Sequence, residues 1–427
     1  MISTATSRIP QEIWDAIFEN CGYSEFLALQ LCGKKFYDIV LPKLYAAVAF
    51  KSSTDFTHYA SIWNNSIVLP LIKELAVGWD VDFNGPGAVP HDSSVGADLV
   101  LHVLSLDWVC LFKTLPLCQI LTSMSLRHLH VPAGFAALLS NMSALNSLSL
   151  VRCSVYGDAD FALYPLRLLH LELRHLHWNA ESKDYCLAYN CALLRVLVIE
   201  WSPLVERAMG EYYIPSLVES LTLLSRLPRL DFLDGVGAEH LRSKFNLGIK
   251  QILCCCPRLL SFAIEGFVPA VARDFCLTLP CLTSLQAPLD FLLGLPHLFE
   301  CLTCLTLTDD SLDLCMIDIR LPFFPKLISL TFNLRFWSAA LFRYLPTRTP
   351  NLENLTVVWF DHWGSSDEVI EEFPPLLELY PYIRQLCFSQ CHERGVHALG
   401  DDFLAVIGCA TTLEEVRMGN KLWQRDA

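Results

Sequence analysis

Charge is what this 427-residue chain has least of: 18% of its residues are Asp, Glu, Lys or Arg, against roughly 25% in an ordinary soluble domain. Polar filler is equally scarce. With 53% apolar residues and a mean hydropathy of +0.38, the composition excludes an intrinsically disordered chain. A membrane-length apolar run is missing too. Phe275 to Leu289 is uncharged, yet it falls short of the roughly 18 apolar residues a spanning helix needs, and Pro280 and Pro288 interrupt it. Positive charge is thin: 31 Lys and Arg stand against 45 Asp and Glu, net −14, which argues against a binder of nucleic-acid backbone. Met1 to Pro10 is polar and lacks the apolar core of a signal peptide, so a cytoplasmic or nuclear, reducing environment is expected, with no membrane partner. In that setting the 18 cysteines, such as Cys153, Cys256 and Cys387, read as free thiols acting as small core hydrophobes.

What is abundant is a short phrase: apolar, two variable, apolar, one variable, apolar. Thirteen copies begin at Ile72, Leu121, Leu145, Leu168, Leu194, Val218, Leu259, Leu282, Leu302, Leu327, Leu352, Ile383 and Leu413. Most follow one another at intervals of 20 to 31 residues, and the first wide gap holds a further candidate at Leu101, Leu104 and Leu106. Alternate residues of a strand face opposite ways, so Leu148 and Leu150 are expected to point inward while Ser147, Ser149 and Val151 point out. Five copies carry a proline two residues before the phrase, Pro257, Pro280, Pro325, Pro350 and Pro381, each expected to end a helix and hand the chain to a strand. Helical spacing is visible at Ile249, Ile252, Leu253 and Cys256, and at Ala340, Leu341, Tyr344 and Leu345 behind a cap at Ser338.

Phrase and period together resemble the leucine-rich repeat, over residues 71 to about 420. The resemblance implies an α/β solenoid with a parallel sheet on its concave face and helices outside, in which stacked neighbours consume the apolar surplus.

Residues 9 to 50 do not follow the phrase. Pro10 opens a helix carrying Ile13 and Ile17 at i, i+4, with Trp14 and Phe18 beside them, and Gly22 can close it. Ser24 can cap a second helix with Phe26, Leu27, Leu29 and Leu31, and a third runs from about Lys34 to Leu41, stopped by Pro42. The segment offers more apolar positions than three small helices can bury. Its Ile9-Pro10, Glu12-Ile13, Ile17, Phe18, Leu27, Leu29, Leu31-Cys32, Phe36 and Ile39-Val40 resemble the F-box pattern. That resemblance implies a small three-helix module that binds a Skp-type adaptor and, through it, the cullin of an SCF ubiquitin ligase. Ile9, Pro10, Ile13, Ile17, Leu27, Leu29, Leu31 and Cys32 would form or support the adaptor-facing surface. Two positions depart from the pattern: Gly22-Tyr23-Ser24-Glu25 replaces the usual short acidic link, and Gly33 follows Cys32 where a basic residue is common. The expected organisation is an F-box at 1–50, a connector at 51–70 and a leucine-rich-repeat solenoid at 71–427.

Outward strand positions are mostly Ser and Thr, which suits strand propensity and solubility. Larger residues gather just beyond the early strands: Arg127, His128, Arg152, Arg174 and His175, with Leu126-Arg127-His128-Leu129-His130 reappearing at 173–177. Arg forks match carboxylate and phosphate, so an acidic or phosphorylated peptide could lie across them. Trp201 and Trp359 occupy equivalent positions and are candidate interface anchors. Loops are expected at 80–98, 225–240 and 361–375. Catalytic constellations are not evident. Cys301 and Cys304 form one Cys-x-x-Cys without a second pair, and neither a Gly-x-Ser-x-Gly elbow nor a phosphate-binding glycine loop is found. The expectation is a non-enzymatic receptor without cofactor or metal that brings an unknown protein substrate to an SCF ligase; the alternative is a leucine-rich-repeat scaffold acting outside any ligase.

Overall fold

A computed structural model of the chain describes residues 11–51, 55, 58, 63, 65–78, 111–132, 134–155, 164–178, 191–201, 215–225, 235–266, 279–312, 321–334, 338–359, 366–390, 413–418 and 421–424. The architecture is α/β, with mostly parallel strands. The chain divides into two compact units, Met1–Ala192 and Leu193–Ala427.

The first unit starts with three helices, α1 (Gln11–Glu19), α2 (Tyr23–Leu31) and α3 (Lys34–Leu44), closed around Phe18, Val40 and Leu44. Trp14 stacks on Phe18 at 5.6 Å and meets Phe36 edge-on at 5.4 Å, while Lys43 lies over the Phe18 ring at 5.5 Å. Two local expectations are corrected. Ser24 lies inside α2, donating to Glu25 Oε2 at 2.9 Å, and the capping position is Gly22, which has no side chain to offer. Pro42 does not stop α3; it sits in the last turn, where a single backbone bond is forgone and the burial of Val40, Leu41 and Leu44 outweighs that loss.

Five strands follow in parallel order: β1 (Ala47–Phe50), β2 (Glu74–Gly78), β3 (Ser123–Arg127), β5 (Ser147–Val151) and β7 (His170–Arg174). Strand β1 lies inside the stretch assigned to the helical module and pairs with β2 from Ala47↔Glu74 onward. Tyr45, Val48 and Phe50 therefore form a fourteenth copy of the phrase, joined to α3 with only Tyr45 and Ala46 between. Short strands β4 (His130–Val131), β6 (Ser154–Val155) and β8 (His177–Trp178) make a second, three-stranded parallel ladder, and α4 (Phe135–Ser140) precedes β5.

In the second unit the strands run β9 (Val196–Trp201), β10 (Ser220–Ser225), β11 (Ser261–Gly266), β12 (Ser284–Ala287), β13 (Cys304–Leu312), β14 (Ser329–Leu334), β15 (Asn354–Trp359), β16 (Gln385–Gln390) and β17 (Glu415–Met418), all parallel, with an antiparallel β18 (Lys421–Gln424) on the last edge. Between them lie α5 (Gly235–Cys254), α6 (Leu289–Leu293), α7 (Ala339–Arg348) and α8 (Ser366–Leu377). Ser338 caps α7 as its position predicts, accepting from Leu341 N at 3.3 Å. Helices end ahead of Pro257, Pro350 and Pro381; residues 321–324 before Pro325 are irregular, and those before Pro280 at 271–278 lie outside the described residues.

All thirteen phrases became strands, and in each the third position is the first strand residue. Matching positions pair across neighbours: Ser123↔Ser147↔His170 in one unit, Cys304↔Ser329↔Asn354↔Gln385 in the other. The register is pinned by a recurring fork, in which one carbonyl accepts from two successive amides of the next strand. Lys73 O takes Thr122 and Ser123, Thr283 O takes Thr303 and Cys304, and Arg384 O takes Glu414 and Glu415. Inward positions are shut off from water: Leu148, Leu150, Leu171, Leu221, Leu330 and Val357 are all at most 1% exposed, each worth about 1.5–3 kcal/mol relative to exposure.

Two segments expected to be loops are partly helical. Helix α5 begins at Gly235 within 225–240, and α8 occupies most of 361–375 with Pro374 and Pro375 inside it. The reason at α8 is burial: the Phe373 ring sits 5.3 Å from Phe342 and 5.2 Å from Phe388. The loop at 80–98 and the candidate copy at Leu101, Leu104 and Leu106 lie outside the described residues. No described helix is long and apolar enough to cross a membrane.

Candidate functional site

Two surfaces of the first unit stand out. On the helical module, Ile13 and Ile17 lie one turn apart on α1 and are 51% and 42% exposed; Leu27 and Leu31 lie one turn apart on α2 and are 38% and 83% exposed. Tyr23 and Tyr37 are exposed beside them in sequence, and Cys32 faces solvent. Leu29 turns the other way and packs against the Phe18 core, so it supports the surface without forming it. Ile9 and Pro10 lie outside the described residues.

The second surface is the far end of β3, β5 and β7. Arg127 and Arg174 are the last residues of their strands, not residues beyond them, and pair in register with Val151 of the strand between. Two strand spacings put them about 10 Å apart. One residue later in each strand come His128, Arg152 and His175, all left-handed, with φ of 53°, 52° and 55°. That conformation costs a residue other than glycine roughly 1–2 kcal/mol. It turns the chain sharply from the main sheet into β4, β6 and β8. The turn is fixed by His128 N donating to Val151 O at 3.0 Å, Arg152 N to Arg174 O at 2.7 Å and Ser154 N to Leu129 O at 2.9 Å. Beneath it the buried Cys153 thiol donates to Leu126 O at 3.3 Å, and burial pushes its pKa up to about 12.

The structure thus brings Arg127, His128, Arg152, Arg174 and His175 together on three adjacent strands. Among the described residues Glu172 joins them: Glu172 Oε1 meets Arg174 Nε at 2.5 Å, and Glu172 Oε2 accepts from Ser149 Oγ at 2.7 Å. Sequence reasoning found the five basic residues but missed Glu172, although strand alternation puts it on the outward face with Ser149. Trp201 and Trp359 end β9 and β15 at equivalent phrase positions; their side chains lie outside the described residues.

The thiols need one correction. Cys118, Cys153, Cys191 and Cys256 are buried, as core fillers should be, but Cys387 sits at an outward position of β16 and is half-buried, and Cys32, Cys254, Cys281 and Cys304 are exposed. Period-two alternation explains Cys304 and Cys387, which face out beside inward Leu305 and between inward Leu386 and Phe388. Cys301 lies in the turn before β13 and not in the strand, its thiol donating to Leu298 O at 3.4 Å. Among the described residues no group of three or more His, Cys, Asp or Glu could hold a metal ion.

Compared with known proteins, the chain matches no family model and no curated protein.

Proposed function

We propose that the chain is a substrate receptor of an SCF-type ubiquitin ligase: an F-box that docks a Skp-type adaptor, followed by a leucine-rich-repeat solenoid whose concave face takes a protein substrate. The observation that carries the reading is the apolar face of α1 and α2. The module already has a closed core at Phe18, Val40 and Leu44, so Ile13, Ile17, Leu27 and Leu31 are not needed inside it. Clustered apolar side chains left in water mark a surface that a partner covers. The short step from α3 through Tyr45 and Ala46 into β1 supports the same reading, because it ties a docked adaptor to the start of the strand array without a loose linker. In this role the chain needs no catalytic group of its own, and ubiquitin transfer belongs to the partner subunits.

The test is co-purification of the full chain with a Skp-type adaptor. Wild type is expected to bind, and Ile13→Asp with Leu31→Asp to lose binding while thermal unfolding is unchanged. If wild type fails to bind, or the double variant binds equally well, the ligase reading falls and a scaffold outside any ligase takes its place.

A further inference from the structure

We propose that Cys281 and Cys301 form a redox-modification site, a dithiol on neighbouring rungs of the strand array that a peroxide closes into a disulfide and a dithiol reductant reopens. The proposal stands apart from the receptor reading and holds whether or not the chain binds an adaptor.

Position in the repeat is the first observation. Cys281 directly precedes the phrase begun by Leu282, and Cys301 the phrase begun by Leu302, so the two hold one position in consecutive rungs. Both opening leucines are 0% exposed, and three residues beyond each cysteine Ser284 of β12 pairs with Cys304 of β13. Cross-rung bonds bracket the pair: Leu279 N donates to His297 Nε2 at 3.4 Å before it, and Thr303 N donates to Thr283 O at 2.9 Å after it. Neighbouring strands lie about 5 Å apart, inside the roughly 4.4–6.8 Å between Cα atoms that a disulfide spans. Over four rungs the same position reads Arg258, Cys281, Cys301 and Lys326, so a cationic residue stands on the rung to either side of the dithiol, the setting that favours thiolate chemistry.

The second observation is the state of each thiol. Cys281 is exposed, whereas Cys301 is half-buried and turns back to donate to Leu298 O at 3.4 Å. Burial raises the Cys301 pKa, with the Lys326 ammonium pulling the other way. An exposed thiol beside a sheltered one fixes the order of events, because a peroxide meets Cys281 first. The Cys281 thiolate sulfur attacks one peroxide oxygen, the O–O bond breaks, the second oxygen leaves as hydroxide and takes up a proton as water, and the sulfur, oxidised by two electrons, becomes a sulfenic acid. Cys301 then rotates away from Leu298 O, gives up its proton and attacks that sulfur; the S–S bond forms, the S–O bond breaks, and the hydroxyl leaves with the proton as a second water. Two thiols and one peroxide thus give one disulfide and two waters. A dithiol reductant reverses the closure by thiol–disulfide exchange and is itself oxidised to a disulfide.

The experiment treats the reduced full chain with hydrogen peroxide, blocks the remaining thiols with N-ethylmaleimide, digests without reductant and reads the peptides by mass spectrometry. A Cys281–Cys301 crosslinked peptide is expected, two hydrogens lighter than the sum of its thiol peptides and absent after dithiothreitol. Cys304→Ser is expected to leave that crosslink in place. Cys281→Ser, a change at an exposed position, is expected to melt like reduced wild type and to leave Cys301 as its N-ethylmaleimide adduct. The bridge ties residues 20 apart in sequence, so oxidised wild type is expected to melt several degrees above the reduced protein, and Cys281→Ser to show no such rise. Peroxide that drives Cys281 to sulfinic or sulfonic acid while Cys301 stays a thiol overturns the proposal. So does a bridge from Cys301 to Cys304, or one between two chains. A crosslinked protein that melts at or below the reduced one overturns it as well, since the rungs would then have to be forced together to close the bond.

Discussion

Leu150 and Leu31 are the same residue in two regions of one unit, and they are treated in opposite ways: Leu150 is 0% exposed in β5, and Leu31 is 83% exposed at the end of α2. The strand array repeats one phrase so that each inward leucine is covered by its neighbours on both sides. The helical module cannot do this, because among the described residues its three short helices enclose a small core of Phe18, Val40, Leu44 and the residues packed on them. Inward apolar residues of the array are therefore structural, whereas outward ones such as Leu169, Leu260 and Ile328 are exposed singly, and the surplus of the module is left in water. On the proposed reading, the contrast separates stability from recognition by position in the chain.

The hardest test of the array's side of that contrast is a large truncation inside it. Phe262 is 1% exposed in β11 with its ring 5.8 Å from that of Phe291. Phe262→Ala is expected to cost about 3–5 kcal/mol, read as a lowered urea midpoint, because the stacked strands on either side hold the cavity open. A loss under about 1 kcal/mol would mean that the array relaxes around the gap and that its leucines are interchangeable filler.

Thiol chemistry sharpens the same comparison. Burial pushes the thiol pKa of Cys118, Cys153, Cys191 and Cys256 up to about 12, above the ordinary thiol value of 9.0, whereas Cys32 of the module is exposed. A buried neutral thiol keeps its proton above pH 9 while the unfolded chain loses it, so the unfolded state binds fewer protons and stability falls as pH rises from about 9 to 12. For Cys153, the most enclosed, the slope is roughly 1.4 kcal/mol per pH unit. At pH 8 a thiol reagent is expected to label the exposed Cys32, Cys254, Cys281 and Cys304 quickly, and the buried Cys118, Cys153, Cys191 and Cys256 only on unfolding. Rapid labelling of Cys153 in the native protein would show that the turn above it opens.

A smaller effect is expected at Ser338, whose hydroxyl caps α7. Ser338→Ala should cost about 1 kcal/mol in thermal unfolding, the worth of one satisfied amide at a helix start. Helix α2 is capped by Gly22 with no side-chain bond, so α2 has no equivalent bond to lose.

Much of this fold was readable in advance because its signal is periodic. Thirteen phrases gave thirteen strands with the inward and outward residues as assigned, since two-residue alternation leaves little freedom once the leucines must be covered. The fourteenth was hidden because Tyr45, Val48 and Phe50 carry no leucine and follow a helix at once. The ladder of β4, β6 and β8 was not legible: two-residue strands have no period, and the turns leading to them use His128, Arg152 and His175 where glycine would have announced a left-handed residue. The five basic residues could be named from the repeated Leu-Arg-His-Leu-His, but their convergence could not, because it depends on register between strands 23 and 24 residues apart. On the module the exposed face was legible in outline as an excess of apolar residues, and only packing shows that Leu29 belongs to the core while Leu27 and Leu31 do not.

The smallest expected stability change is also the one that bears most directly on the comparison. Leu31→Asp replaces a side chain already in water, so no cavity forms and no charge is buried, and the change in unfolding free energy should stay within about 0.5 kcal/mol. Leu150→Asp places the same carboxylate where nothing can solvate it, and the first unit should fail to fold. Measured side by side by circular dichroism and thermal melting, the pair asks whether position alone decides what a leucine does. If Leu31→Asp melts as wild type yet abolishes adaptor co-purification, α2 carries recognition with no share in stability. If it melts several degrees lower, Leu31 is covered in the folded chain and the docking face must be sought elsewhere on the module.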